Sequence, residues 1–290
     1  MGMGTRDIKR KIKSVSSTKQ ITKAMELVST AKLRRSRKKM EVTRPYFNSV
    51  LQTVQEIIES EKSLKHEFIN AREIKNTLYI IVSADRGLCG GYNNNAIKTV
   101  VQDIKDPKNA SIITIGKKAC DYFEKRNYNV VQKYTYISES PTYENAKDIA
   151  RVALKLYSDE KVDEIKFVYT ALLSTISQEP VMLQLLPVVA DKNAVKKVEK
   201  TAEEFEFVSY QPSPEFVLGM IIPKYIESTI YGGMAESSAA EQAARRIAME
   251  NATDNAEDLI SSLTLTYNQA RQGAITQEIS EIVGGAEALK

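Results

Sequence analysis

The stretch with the strongest claim to chemistry is Ser83-Ala-Asp-Arg-Gly-Leu-Cys-Gly-Gly-Tyr-Asn, a glycine-rich loop between an apolar run and a helical one. Backbone amides in such loops commonly cradle phosphate. Its spacing does not suit that work. A dinucleotide fingerprint starting at Gly87 needs glycine at 89 and meets Cys89, and the Lys-Ser/Thr pair of a P-loop is absent. A tight turn with close helix packing is the expectation, with Asp85 capping the turn and not acting as a catalytic carboxylate. His66 is the single histidine, so a histidine metal cluster or a Ser/Cys triad cannot be assembled within the chain. Cys89 and Cys120 lie far apart without a CxxC and read as buried, reduced thiols. No catalytic residue, cofactor or metal is expected.

The run Lys32-Leu-Arg-Arg-Ser-Arg-Lys-Lys-Met has the charge to neutralise nucleic-acid phosphates, and equally the charge to meet acidic protein loops. Met1 to Arg44 holds 14 Lys/Arg against Asp7, Glu26 and Glu41, whereas nine acids lie from Glu236 onward, so the two ends are oppositely charged. The near-neutral total of +4 and the lack of aromatics among the basic residues weigh against a nucleic-acid binder, which stays as the alternative. An electrophoretic shift at moderate salt separates the two.

The elements that would position these residues fall into three parts. Between Thr5 and Ser60 there is one proline, Pro45, and no glycine, which predicts a helix of ~80 Å. Its apolar stripe is Ile8, Ile12, Val15, then Ile21, Met25, Val28, then Leu33, Met40, Phe47 and Val54, with Val50 and Ile57 as companions, a narrow coiled-coil seam. From Asn76 to about Tyr210, β-rich runs at Thr77–Ser83, Ser111–Ile115, Val130–Ile137, Glu164–Leu172 and Val181–Val188 alternate with helical stretches at Asn95–Lys105, Lys117–Arg126 and Thr142–Tyr157. The last helix is announced by Ser140-Pro141 as cap and first position. Such alternation predicts a Rossmann-like, mostly parallel sheet, its last two strands near enough in sequence for a hairpin.

A second helical tract follows Gln211-Pro-Ser-Pro to the C-terminus, punctuated by Pro223 and Gly232-Gly233. Its inner face is small: Ala235, Ala239, Ala243, Ala248, Ala252 and Ala256, then Leu259, Leu263, Ala270 and Ala274. The fold class expected is therefore α/β, a long antiparallel two-helix coiled coil from the termini plus the central sheet domain. The boundaries are 1–60 for the first long helix, 61–75 for a connector, 76–210 for the globular domain and 211–290 for the second. Laying the stripes antiparallel sets Ile12 opposite Ala256 and Thr5 opposite about Leu263. The last ~25 residues, ~38 Å of helix, are then left without a partner. With 42% hydrophobic and 27% charged residues, no apolar run of membrane-spanning length and charges where a signal peptide needs apolar residues, a cytoplasmic chain is expected.

Read together, these segments resemble the gamma subunit of the F-type ATP synthase over nearly the whole chain. The motifs are Ile21-Thr-Lys-Ala-Met-Glu-Leu-Val, the Ser83–Asn93 loop, Glu241-Gln-Ala-Ala-Arg, Asn251-Ala-Thr-Asp-Asn-Ala and Tyr267-Asn-Gln-Ala-Arg-Gln-Gly-Ala-Ile-Thr-Gln-Glu-Ile-Ser-Glu-Ile-Val. The resemblance implies a non-catalytic central stalk, the rotor of a peripheral complex on the cytoplasmic side of the cell membrane. Its implied partners are the alpha and beta subunits, the epsilon subunit and the c-subunit ring. It implies rotor-stator contact with beta through Lys23, Met25, Lys32, Arg34, Arg35, Glu241, Arg245, Arg271 and Gln272. A foot toward ring and epsilon would include Arg44, Tyr46 and Tyr210. Gly273 stands where the family often has Ala or Ser, a departure that would soften the helix there.

Overall fold

The computed structural model describes residues 4–60, 66–69, 72–188, 211 and 213–288. In chain order the elements are α1 (Thr5–Ser60), β1 (Thr77–Val82), α2 (Tyr92–Asp103), β2 (Ala110–Ile115), α3 (Lys117–Glu124), β3 (Asn129–Tyr134), α4 (Tyr143–Ser158), β4 (Glu164–Leu172), β5 (Gln178–Leu186) and α5 (Pro214–Ala288), with a 3-10 turn at Pro107–Asn109. The chain divides into two compact units, one of Met1–Ser29 with Arg245–Lys290 and one of Thr30–Ala244.

In the Thr30–Ala244 unit the strands are ordered β3-β2-β1-β4-β5. The first four are parallel and β5 is antiparallel to β4, so the mixed α/β class and the terminal hairpin stand as expected. Nearly every residue of β1 is buried, as a strand covered on both faces requires. One face packs Tyr79, Ile81 and Ile112 under Ala96, Val100 and Phe123 of α2 and α3. The other packs Leu78, Ile80 and Ile113 under Ile149, Ala153 and Tyr157 of α4, and adds Ile222, Ile226 and Ile230 of α5 and Val54 of α1. Burial of each such side chain contributes roughly 1.5–3 kcal/mol.

Three local expectations change. The cap of α4 is Thr142, in a reciprocal capping box with Asn145, and not Ser140-Pro141. The Thr142 hydroxyl accepts the Asn145 amide at 3.3 Å while Asn145 Oδ1 accepts the Thr142 amide at 3.1 Å, so one pair satisfies two amides at the helix start. β3 stops at Tyr134, before the expected Ile137, because Tyr136 takes φ 64. Neither Pro223 nor Gly232-Gly233 interrupts α5. Gly233 is there for close approach: a β-carbon on it would overlap the Phe167 ring.

In the other unit the seam of α1 runs through Ile8, Ile12, Val15, Thr22 and Ser29, with Ile21 and Val28 61% and 56% exposed. The expected stripe is therefore one residue out of phase at Ile21 and Val28. Small hydroxyl residues occupy the buried positions because they allow close approach of the two helices and can bond across the seam. Thr22 and Thr253 share a hydrogen bond of 2.8 Å between their Oγ1 atoms, and Lys19 Nζ meets Glu257 at 3.1 Å. Continued outward, that pairing sets Ile12 opposite about Leu263 and Thr5 opposite about Ala270, one heptad from the register expected with Ala256. An apolar stripe alone tolerates a heptad slip; a specific buried polar pair does not. Burial agrees, since Ala270 is half-buried and residues 271–286 are all exposed. The unpartnered tip is thus about 18 residues, ~27 Å of helix, and shorter than expected.

Candidate functional site

The crevice where a doubly wound sheet holds its ligand lies at the carboxyl ends of the strands where the strand order reverses, here between β1 and β4. The Ser83–Asn93 loop leaves β1 at that point, and its acceptors Asp85 and Asn93 are committed to donors of the chain itself. Asp85 Oδ1 accepts the backbone amides of Lys117 at 3.0 Å and Tyr136 at 2.8 Å, and its Oδ2 accepts the Ser138 hydroxyl at 2.8 Å. Asn93 Oδ1 accepts the Ala84 amide at 2.8 Å. Gly116, at φ 96, brings α3 against the carbonyl of Ser83, where no side chain fits. The carboxylate that could have been a base is a staple joining three loops.

The crevice is filled by α5. Ser237 Oγ accepts the Thr170 amide at 2.8 Å, Glu236 Oε1 accepts the Leu172 amide at 3.0 Å, and the Tyr92 hydroxyl donates to the Ser237 carbonyl at 3.3 Å. Ala84, Cys89 and Tyr92 pack on Ala240. Burial and the Glu241 carboxylate push the Tyr92 phenol far above its ordinary value, keeping it a neutral donor. Ala84, Cys89 and Tyr92 of the loop and the small residues Ser237 and Ala240 of α5 therefore serve helix docking.

The residues expected to meet a stator divide by exposure. Lys23 is exposed and bonded to Glu26 at 3.0 Å, which holds its ammonium above the ordinary value, with Glu250 and Asp254 adding to the effect. Met25 is half-buried. Lys32 is ion-paired with Glu139 at 2.7 Å, and Arg34 and Arg35 are exposed. Glu241 and Arg245 are buried, at 1% and 6% exposure. Arg271 and Gln272 lie on the exposed tip. Arg44 and Tyr46 fall within α1, their side chains outside the described set, and Tyr210 lies outside the described residues. Sequence reasoning missed Thr22 and Thr253, and the seven-residue recurrence of hydroxyls at Thr22, Ser29, Ser36 and Thr43 was the available signal. Among the described residues no helix is long and apolar enough to cross a membrane, and no acidic, histidine or cysteine cluster suits a metal.

A Rossmann-like sheet whose ligand crevice is closed by the chain's own C-terminal helix, combined with helices of 56 and 75 residues, defines a mixed α/β protein with long terminal helices and, among the described residues, no open ligand crevice at the switch point. A family model described as ATP synthase matches residues 4–289. The ATP synthase gamma chain of Alkaliphilus metalliredigens is 53% identical over 290 residues, with 100% of both chains covered. The sodium-ion-specific ATP synthase gamma chain of Acetobacterium woodii is 46% identical, again over 100% of both. Among solved structures, a chain of the Euglena gracilis mitochondrial ATP synthase OSCP/F1/c-ring assembly in rotational state 3 shares the fold with a TM-score of 0.69 at 20% identity, covering 98% of this chain and 94% of its own. A chain of the central stalk and c-ring of the Tetrahymena thermophila enzyme has a TM-score of 0.61 at 21% identity, covering 80% and 99%. The chain belongs to the ATP synthase gamma chain family.

Proposed function

We propose that this chain is the rotor of an F-type ATP synthase, carrying torque between an ion-driven c-subunit ring and a catalytic alpha/beta hexamer, with epsilon beside its foot. It works peripherally on the cytoplasmic side of the membrane and holds no nucleotide, metal or cofactor of its own. The observation that carries this is the tip. Residues 271–286 are uniformly exposed, yet they present Ile275, Ile279, Ile282 and Val283 at 43%, 56%, 71% and 57%. Arg271 is the one basic residue among them. A helix end with that much bare apolar surface needs a collar, and an apolar collar forms few directional bonds to resist turning. Higher on the shaft, the exposed cations Lys23, Arg34 and Arg35 on α1 suit acidic loops of beta, with Lys32, Met25, Glu241 and Arg245 setting the surface beneath. Arg271 and Gln272 mark the start of the tip contact, and Arg44, Tyr46 and Tyr210 belong to the foot.

The test is Met25→Lys in membranes, beside native co-purification of alpha and beta with this chain. A lysine there adds a cation able to form charge-assisted hydrogen bonds to an acidic stator loop, bonds that each turn must break. ATP synthesis and ATP-driven pumping are expected to fall while assembly is retained. Unchanged coupling, or a chain that purifies without alpha and beta, would overturn the proposal.

A further inference from the structure

Within the Thr30–Ala244 unit, α1, the loop before α4 and α5 enclose a half-open cavity of about 90 Å³. Its lining includes Arg35, Lys39, Ser36, Ser140, Ser238 and Glu139. We propose that this cavity binds a small tetrahedral oxyanion, orthophosphate, with Arg35 as the forked partner and Lys39 and the Ser140 hydroxyl completing the shell.

The charge balance favours an anion. Glu139 is the one acid of the lining, and Lys32 holds its carboxylate at 2.7 Å, which leaves the Arg35 and Lys39 charges uncompensated. Lys39 donates one proton to the Pro141 carbonyl and has two more to give. Arg35 makes no ion pair or hydrogen bond among the described residues, although it lines the same cavity as three serine hydroxyls; its fork is uncommitted. Ser238 Oγ donates to the Glu139 carbonyl at 2.9 Å and meets Ser36 Oγ at 3.2 Å, while the Ser140 hydroxyl has no partner among the described residues.

Size and donor number narrow the class. A water needs roughly 10–15 Å³ by this kind of measure, so the cavity holds several waters or one oxyanion with part of its shell. A carboxylate offers two oxygens, whereas the Arg35 fork, two Lys39 protons and the Ser140 hydroxyl supply more donors than two oxygens need, which suits the four oxygens of phosphate. Bound there, the ion would bridge α1, the Ser140 loop and α5. Since orthophosphate is a reactant of ATP synthesis, the stalk would gain a contact that follows reactant concentration.

The experiment uses the purified full-length chain, so that its outcome is independent of assembly with alpha and beta. Orthophosphate, sulfate and acetate are titrated at constant ionic strength and followed by calorimetry, with phosphorus NMR line width as a second readout for phosphate. Saturable binding of phosphate and sulfate is expected, with acetate at least about tenfold weaker and Arg35→Gln costing about tenfold or more. Arg34→Gln, a neighbouring exposed arginine outside the lining, should leave binding unchanged, and circular dichroism checks that both variants fold. No saturation below about 20 mM phosphate would overturn the proposal. So would equal losses in the two arginine variants, which would indicate diffuse charge, or acetate binding as well as phosphate, which would assign the cavity to a partner's carboxylate.

Discussion

The pairing of Thr22 with Thr253 sets how far the C-terminal helix runs past its partner, and it can be challenged directly. Each hydroxyl lies within reach of a carbonyl on its own helix, Thr22 at 3.1 Å from Lys19 and Thr253 at 2.8 Å from Met249, besides the 2.8 Å contact between them. One of the two protons serves the cross-helix bond and the other a carbonyl. Replacing either residue by valine leaves the remaining hydroxyl its own carbonyl, so the stability loss should be only about 0.5–1.5 kcal/mol, and the double variant should show coupling of that order. The larger effect is on register. Without the pair, the apolar stripe stabilises registers a heptad apart, about 10 Å of axial shift. The assay is cysteine pairing in a background lacking Cys89 and Cys120. Thr22→Cys with Thr253→Cys should oxidise readily, as should Ile12→Cys with Leu263→Cys. Ile12→Cys with Ala256→Cys should not, because a heptad offset lies well outside the ~4.4–6.8 Å between Cα atoms that a disulfide allows. The Thr22→Val, Thr253→Val background should let the Ala256 pair form alongside the Leu263 pair. Preference for Ala256 with both threonines intact would refute the register, and an unchanged pattern without them would refute their role in setting it.

Asp85→Ala removes three accepted hydrogen bonds at one carboxylate and should cost about 2–4 kcal/mol in urea unfolding while leaving the thiols reduced; a loss below half a kcal/mol would mean the staple is dispensable. Gly273→Ala meets nothing within 4 Å and lies inside α5, so helicity should rise and stability improve by up to about 1 kcal/mol, read by far-UV circular dichroism on heating. Burial pushes the Asp103 carboxyl up, but hydrogen bonds from Lys166 and Tyr79 outweigh it and hold it below its ordinary 3.8. A depressed folded value contributes stability above the unfolded one and loses it as pH falls through the folded one. Acid unfolding of Asp103→Asn should therefore show a shallower fall below about pH 4 than the parent, and identical slopes would discount the pair.

What was legible in the sequence is what period and punctuation encode. Buried strands such as Thr77–Val82 and Glu164–Leu172 announce themselves by β-branched runs, and their mostly parallel pairing follows from the alternation with helices. The register was not legible, and for a physical reason: it is decided by small polar side chains that satisfy each other across a long sequence separation, whereas the tight, helix-packed turn after β1 could be read from Cys89 and the missing Lys-Ser/Thr pair. Hydropathy puts Ile21 and Val28 inside and Thr22 and Ser29 outside, the reverse of the observed burial, because it scores transfer from water and omits the hydrogen bond made on arrival. Likewise Pro223 and Gly232-Gly233 read as breaks, whereas Gly233 lets α5 approach the sheet closely at Phe167. The same economy explains why a glycine-rich loop at a sheet's switch point can look like a phosphate cradle and yet receive a helix. Cradling an anion and docking a backbone both require the absence of side chains, and they differ in whether the converging polar groups are left open, as around Arg35, or already spent, as around Asp85.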